Sequence, residues 1–286
     1  MRAARRRHAD ERWWRRVWPW GVRMALVCLL GLATTAAAQW WRSKVSVVEP
    51  LSQGQVNWTT DVLLSRGSAT GTTLQGTGAS TYRAAVQAAR QGLWAALDQV
   101  RFDAKQMLGP AIRQAEARRH ELEAMVAQAT VVGTRYLPGP TVETTVQLPL
   151  AGQLTALFLT ASSASPADGE PRSEAPHTGV VIDARGLAIQ PALFPRIVDE
   201  SGQSLYAPTD VDTEAAVQQG YIAYAKAFDG APAQVRIGER PLVLRALRVA
   251  GDSRVDLVLS HAEAARIRDY AATRRLVRQC RVLIVL

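Results

Sequence analysis

The residues best placed to do chemistry follow an apolar run, Gly-Val-Val-Ile, near position 180. Such a run is typical of a strand buried on both faces, and Asp183, Arg185 and Gly186 come directly after it. Functional side chains of α/β proteins often lie at that end of a strand. Together with His177 and Asp199, Asp183 could form a hydrolytic or metal site. In the structural alternative, Asp183 and Arg185 organise the turn before Gly186 by pairing or by binding backbone groups.

Other catalytic and metal-binding patterns are missing from the sequence. Beyond the first 38 residues the histidines are His120, His177 and His261, which are widely separated and lack the Cys-x-x-Cys or His-Glu-x-x-His spacing of zinc sites. Neither Gly-x-Ser-x-Gly nor a phosphate-binding glycine loop is present, and the glycine-rich stretch 71–78 lacks the following lysine. We therefore expect no enzymatic activity, no cofactor and no metal.

The two cysteines predict no internal disulfide. Cys28 lies in an early apolar run, and the residues before it, Ala-Leu-Val, are not the small residues that normally precede a lipidated cysteine. Cys280 enters an apolar segment, which favours a buried and inert thiol over a reactive or intermolecular one.

Residues 1–38 are typical of a secretory signal. Eight arginines precede the apolar run 24–33, and small residues including Ala36 and Ala38 follow it. The apolar run is shorter than the roughly 20 residues of a membrane-spanning helix, so we expect cleavage between Ala38 and Gln39. The alternative is a retained amphipathic or short membrane anchor. Either outcome places the protein in the periplasm or at the outer membrane.

The charge distribution argues against a nucleic-acid partner. The whole chain carries a net charge of +9, and residues 1–38 account for +6 of it, which leaves +3 on residues 39–286. Nucleic-acid-binding proteins concentrate basic residues on one face and interleave aromatic residues among them. Here the concentrated arginines lie in the segment that is expected to be removed.

Hydrophobic periodicity predicts an α+β layer before position 160. A strand is predicted at 56–64, a loop or ragged strand end at 66–78, a short β segment at 100–103, and a hairpin at 130–136 and 142–148. Helices are predicted at 80–97 and 110–128, the second with a solvated charged face that could also serve as a partner surface. The helices are expected on one face of an antiparallel sheet.

The second half predicts another sheet with helices. After the buried strand we expect a hairpin at 195–199 and 204–206, strands at 242–249 and 255–259, and a C-terminal core strand at 281–286. Helices are predicted at 213–228 and 261–275, with Tyr221, Tyr224 and Phe228 on a single core-facing side of the first. The resulting organisation is a signal segment at 1–38, a tether at 39–54, an α+β domain at 55–160, a linker at 161–177 and a second domain at 178–286.

The order of these elements and the amino-acid sequences of several of them resemble a known family. The segments 56–64, 100–103, 131–136 and 142–146 are similar to the domain shared by small bacterial lipoproteins and the N-terminal part of flagellar assembly protein T. The second half also resembles members of that group, in the segments 178–187, 191–193, 216–220, 241–243 and 280–285. This resemblance implies an exported, non-enzymatic envelope protein that acts in a ring or scaffold, as a homo-oligomer or with other envelope proteins.

Three hypotheses about function follow. The first is a non-enzymatic envelope scaffold or assembly factor. If the resemblance extends to function, this scaffold is associated with the flagellar basal body. It would contact the membrane only through the signal segment, if that segment is retained. The second is a periplasmic hydrolase or ligand-binding module that uses a site near Asp183. The third is a small-ligand or peptidoglycan-binding module, which predicts an exposed groove lined by an aromatic residue.

Overall fold

The computed structural model describes residues 46–71, 78–114, 116–159, 176–227 and 231–286. Their helices and strands form two sheets with helices packed on them, which confirms the predicted α+β class. Ser46–Leu286 forms one compact unit that contains both sheets. The predicted signal segment, with Ala36, Ala38 and Gln39, and most of the predicted linker lie outside the described residues. The division into two domains stays a prediction.

The first sheet is antiparallel throughout and has the strand order β1-β2-β3-β5-β4. Its strands are β1 (Val48–Leu51), β2 (Gly54–Asn57), β3 (Val62–Thr70), β4 (Thr130–Leu137) and β5 (Thr141–Pro149). The helices of this half are α1 (Ala79–Leu97), α2 (Leu108–Arg113), α3 (Glu116–Ala127) and α4 (Gln153–Phe158). The predicted helix at 80–97 and hairpin at 130–148 are confirmed.

The second sheet is mixed and has the strand order β8-β7-β11-β10-β6-β12-β9. Its strands are β6 (Val180–Asp183), β7 (Ile197–Asp199), β8 (Ser204–Tyr206), β9 (Ala223–Ala225), β10 (Leu242–Ala250), β11 (Asp256–Leu259) and β12 (Val282–Val285). The accompanying helices are α5 (Thr213–Gln219), α6 (Ala231–Ile237), α7 (His261–Arg268) and α8 (Ala271–Arg278). Strand β12 lies between β6 and β9 and is buried, which confirms the predicted C-terminal core strand.

Helix α1 approaches the first sheet closely because one strand residue there is glycine. Gly67 lies opposite Thr144 in the β3–β5 ladder, beneath α1. A Cβ atom on Gly67 would lie 2.0 Å from the backbone nitrogen of Ala89, so a side chain does not fit. This contact fixes α1 on the sheet and leaves Arg90 and Trp94 half-buried along the helix.

One strand predicted in the first half is divided in the structure. The segment 56–64 is not one strand, because a turn separates β2 from β3. The side-chain oxygen of Asn57 accepts hydrogen bonds from the backbone N–H groups of Thr59 and Thr60, and Asp61 has φ +52°, so the chain reverses there. Strand β3 runs on to Thr70, within the segment predicted as a loop or ragged strand end, and β1 lies within the stretch 39–54 that was predicted as a tether.

Predicted long helices are interrupted in the structure. The charged helix predicted at 110–128 is divided into α2 and α3, and the one predicted at 261–275 is divided into α7 and α8. Helix α5 stops at Gln219 because Gly220 adopts φ +81°, a conformation that ends helices. Tyr221 and Tyr224 therefore lie in the sheet core, and not on one helical face as predicted, while Phe228 lies outside the described residues.

A continuous hydrophobic core joins the two sheets. Trp58 of the first half meets Tyr224 of β9 edge-on, with ring centroids 5.9 Å apart. Phe102 packs against Phe194 at 5.1 Å, and the backbone N–H of Phe194 donates to the carbonyl of Phe102 at 2.8 Å. Within the described residues no helix combines the length and apolar character needed to span a membrane.

Candidate functional site

The predicted turn after β6 forms a closed ion pair. Asp183 is the last residue of β6, and the guanidinium of Arg185 donates from Nε to Oδ1 at 2.8 Å and from Nη2 to Oδ2 at 2.6 Å. The backbone N–H of Arg185 also donates to Asp183 at 3.1 Å, and Gly186 completes the turn with φ +83°. The hydrogen bonds from Arg185 hold the pKa of Asp183 below its usual value. This geometry favours the structural interpretation of the turn.

The structure does not bring His177, Asp183 and Asp199 together. His177 precedes β6 and Asp183 ends it, so the length of the strand lies between the two side chains. The strand registers place Asp183 beside Arg245 of β10 and Asp199 beside Leu259 of β11, so three strand spacings, about 14 Å, separate the two carboxylates. The described residues also contain no group of three acidic, histidine or cysteine side chains placed to hold a metal ion.

Asp199 instead holds the β7–β8 hairpin and helix α7 together. Its carboxylate accepts hydrogen bonds from the hydroxyl of Ser201 at 2.6 Å, from the backbone N–H of Gln203 at 2.9 Å and from Arg268. The hydrogen bonds from Ser201 and Arg268 are the main reasons that the pKa of Asp199 lies well below its usual value. The side chain is buried and fully used within the fold, which indicates a structural role.

A second ion pair lies at the junction of the two sheets. Arg236 of α6 donates from Nη1 to the carbonyls of Gly220 at 3.1 Å and Cys280 at 2.8 Å, and from Nη2 to the carbonyl of Gln219. Its Nη2 lies 3.6 Å from Oδ2 of Asp61, and the two side chains are only 8% and 18% exposed. Because most of the Arg236 donors are used by carbonyls, burial dominates at Asp61 and raises its pKa to about 7.

The neighbouring thiol of Cys280 is buried, as predicted for a structural cysteine. Burial raises the pKa of Cys280 to about 11, so at neutral pH the side chain is a protonated thiol. Burial likewise raises the pKa of Tyr206, whose hydroxyl donates to the carbonyl of Tyr221. These groups form part of the core and are not arranged as nucleophiles.

An open groove runs along α1 and is the best candidate for a binding site. At its wider end, a space of about 550 Å³ is lined by seven residues: Trp94, Asp98, Gly109, Ile112, Arg113, Arg119 and Glu123. A contiguous space of about 210 Å³ shares Trp94 and Glu123 and is otherwise lined by Gln87, Arg90, Gln91, Val126 and Ala127. We call these two spaces the Trp94 groove. Their volumes fall near or within the range of ligand-binding clefts in proteins.

Four of the five charged side chains that line the Trp94 groove form two ion pairs with each other, and the fifth is Arg90. Arg113 donates to Asp98 at 3.2 Å, and Arg119 donates to Glu123 at 3.0 Å. Arg90 makes no hydrogen bond or ion pair with the described part of the chain, and its Nε atom is buried without an acceptor. Arg90 also lines the narrower space, so its guanidinium carries a positive charge along the groove wall. The groove thus combines an aromatic surface with a positive charge that has no partner among the described residues.

The sequence contained a signal for the groove that periodicity alone did not reveal. The predicted apolar stripe of α1 runs through Val86 and Leu93, and Trp94 lies just outside it. The tryptophan side chain combines a large apolar body with a polar N–H group, which is why tryptophan is enriched at interfaces. The ion pairs depend on how α2 and α3 turn back towards α1, which the sequence pattern does not show.

Comparison with known families bears on the second half of the chain. Residues 179–286 match the family described as Treponema pallidum Tp0624, second domain. The match contains the whole second sheet, with the Asp183 turn and Arg236, while the Trp94 groove lies outside it. No curated protein matches the chain. A family of small lipoproteins or of flagellar assembly protein T is not among these findings, so that likeness stays a prediction.

Proposed function

We propose that this protein is a non-enzymatic binding scaffold of the cell envelope. The observation that carries the proposal is the Trp94 groove, an open surface with an aromatic residue and paired charges. The aromatic-lined groove is the feature that the ligand-binding hypothesis predicted. Export is supported by the arginine-rich segment, the short apolar run and the small residues up to Ala38.

Binding explains the groove better than catalysis does. Both of its carboxylates are engaged by arginines, Asp98 by Arg113 and Glu123 by Arg119. Paired in this way, they are suited to orienting a ligand through hydrogen bonds, and neither is placed beside a nucleophile. The alternative hydrolase centred on Asp183 is less well supported, because Arg185 occupies that carboxylate and His177 lies at the other end of β6.

The finer proposal concerns assembly. The resemblance of several segments to small lipoproteins and to flagellar assembly protein T supports a place in an envelope ring or scaffold, with envelope proteins or further copies of this chain as partners. A scaffold of this kind would present the groove as one of its contact surfaces. Flagellar genes beside the coding gene would favour the flagellar version over a general envelope role.

Fractionation of the native cells tests the location. We expect the protein in the periplasmic or outer-membrane fraction and shortened by residues 1–38. The double substitution Ala36→Leu and Ala38→Leu should leave a longer precursor, because signal peptidase requires small residues there. Detection should use an antibody, since a C-terminal tag would disturb β12, a buried strand between β6 and β9 of the second sheet. A protein found only in the cytoplasm would overturn the proposal.

A further inference from the structure

We propose that the Trp94 groove binds an acidic glycan, a chain of pyranose sugars that carries carboxylate groups. This inference rests on the binding function proposed above and names the class of ligand. It draws on three features of the groove: the aromatic surface of Trp94, the two ion pairs beside it, and the charge of Arg90, which has no partner within the described part of the chain.

Trp94 supplies the stacking surface. Its side chain is half-buried against the core and lines both spaces of the groove, so the indole is held in place while part of it faces the opening. The C–H face of a pyranose ring is apolar and flat, and it packs on an indole at a small entropic cost because the indole is already fixed. Ile112 extends the apolar surface at the wider end.

The ion pairs match the hydroxyl groups of a sugar. Each hydroxyl both donates and accepts, so it is satisfied best where a carboxylate and a guanidinium lie side by side. The Arg113–Asp98 and Arg119–Glu123 pairs offer this combination at the wider end of the groove. Both pairs are exposed, so their remaining hydrogen-bonding positions are open to a ligand.

Arg90 selects an acidic chain over a neutral one. The charged residues that line the groove are three arginines and two acids, and the acids are paired with Arg113 and Arg119. The guanidinium of Arg90 has no hydrogen-bond acceptor within the described residues, and a carboxylate is the strongest partner for it. A sugar carboxylate would supply that partner one helical turn from Trp94.

The walls of the groove favour a glycan over an extended peptide. They consist mainly of α1 and α3, whose backbone groups are already hydrogen-bonded within the helices. An extended peptide brings an N–H and a carbonyl on every residue and gains affinity mostly from a free strand edge, which helices do not offer. From Gln87 to Asp98 the wall is about 17 Å long, enough for several sugar rings.

Calorimetric titration of the full-length protein tests the proposal with three probes: an oligogalacturonate hexamer, neutral maltohexaose and an oligoglutamate peptide. We expect the acidic sugar to bind about tenfold more tightly than the neutral one. Trp94→Ala should weaken binding of both sugars about tenfold, because the stacking surface is lost. Arg90→Gln should weaken binding of the acidic sugar about tenfold and so remove its preference over maltohexaose.

The matched control is Arg83→Gln, which removes an exposed arginine from the same helix but outside the groove, and it should bind as the unchanged protein does. Thermal melting of each variant separates loss of binding from loss of folding. No binding of either sugar, unchanged binding by both groove variants, or equal binding of oligoglutamate would overturn the glycan proposal. A protein crosslinked to the groove in cells, with no sugar binding in the calorimeter, would refute the glycan and leave the binding scaffold standing.

Discussion

Replacing Asp61 with asparagine should remove a pH dependence of stability. Asp61 lies half-buried at the junction of the two sheets, and loss of hydration there raises its pKa from 3.8 to about 7. Because the folded protein holds this proton more tightly than the unfolded chain, the free energy of unfolding falls as the pH rises from about 4 to about 7. Asparagine is neutral throughout and accepts the left-handed conformation of position 61, so the variant should lack this loss.

The size of the effect follows from the two pKa values of Asp61. A difference of about three pH units corresponds to about 4 kcal/mol, so at pH 8 the variant should be more stable than the unchanged protein by up to that amount. For a chain of this size the gain is about 10 °C in melting temperature. Near pH 5 the folded protein keeps this proton while the unfolded chain has mostly lost it, so the difference should fall to about 1.6 kcal/mol and should vanish only below about pH 4.

Urea unfolding at several pH values between 5 and 8 measures this difference. In this range the lowered pKa values of Asp183 and Asp199 do not interfere, because their stabilisation is lost only as the pH falls below about 4. Asp252→Asn, at an exposed position, is the matched control and should leave the pH profile unchanged. If Asp61→Asn follows the same profile as the unchanged protein, or is less stable at pH 8, the account of the buried junction is wrong.

Further predictions concern the packing of both sheets. Arg236→Met should lower the free energy of unfolding by about 3–5 kcal/mol in urea titrations at pH 7, because three carbonyls and Asp61 lose their partner; unchanged stability would refute this. Gly67→Ala should cost about 2–3 kcal/mol by the same assay, whereas Gly133→Ala on β4 should be tolerated, since its Cβ meets nothing closer than 3.8 Å; equal effects would contradict the close approach of α1. Deleting residues 282–286 should abolish the cooperative thermal transition, because β12 is a buried strand inside the second sheet; a deletion variant that still melts cooperatively would disprove this.

Local sequence patterns predicted most elements but not where they break. The alternation of Val142, Thr144 and Val146 and the apolar run before Asp183 are direct consequences of burial, so β5 and β6 were predictable. The turn at Asn57 and Asp61 was missed because Trp58 and Thr60 continue a strand-like alternation through it. The two hydrogen bonds that the Asn57 side chain accepts stabilise a turn there, although the hydrophobic pattern favours a strand.

The candidate site was less predictable than the fold. Sequence placed Asp183 and Arg185 at a turn, and the side-chain pairing makes that turn compact. The Trp94 groove depends on contacts between α1, α2 and α3, which are set by tertiary packing. In the same way, Asp61 and Arg236 are far apart in the chain, and only the fold makes them a buried pair.

The most direct test of the binding scaffold is photo-crosslinking in the native cell. A benzophenone amino acid at Gln91, in the narrow part of the groove, should give a crosslinked product in the envelope fraction, whereas the same probe at exposed Asp252 should give none. Adding Trp94→Ala should abolish the product. A probe at Gln91 that yields no product, or one that is indifferent to Trp94, would contradict the claim that this protein works by binding through the groove.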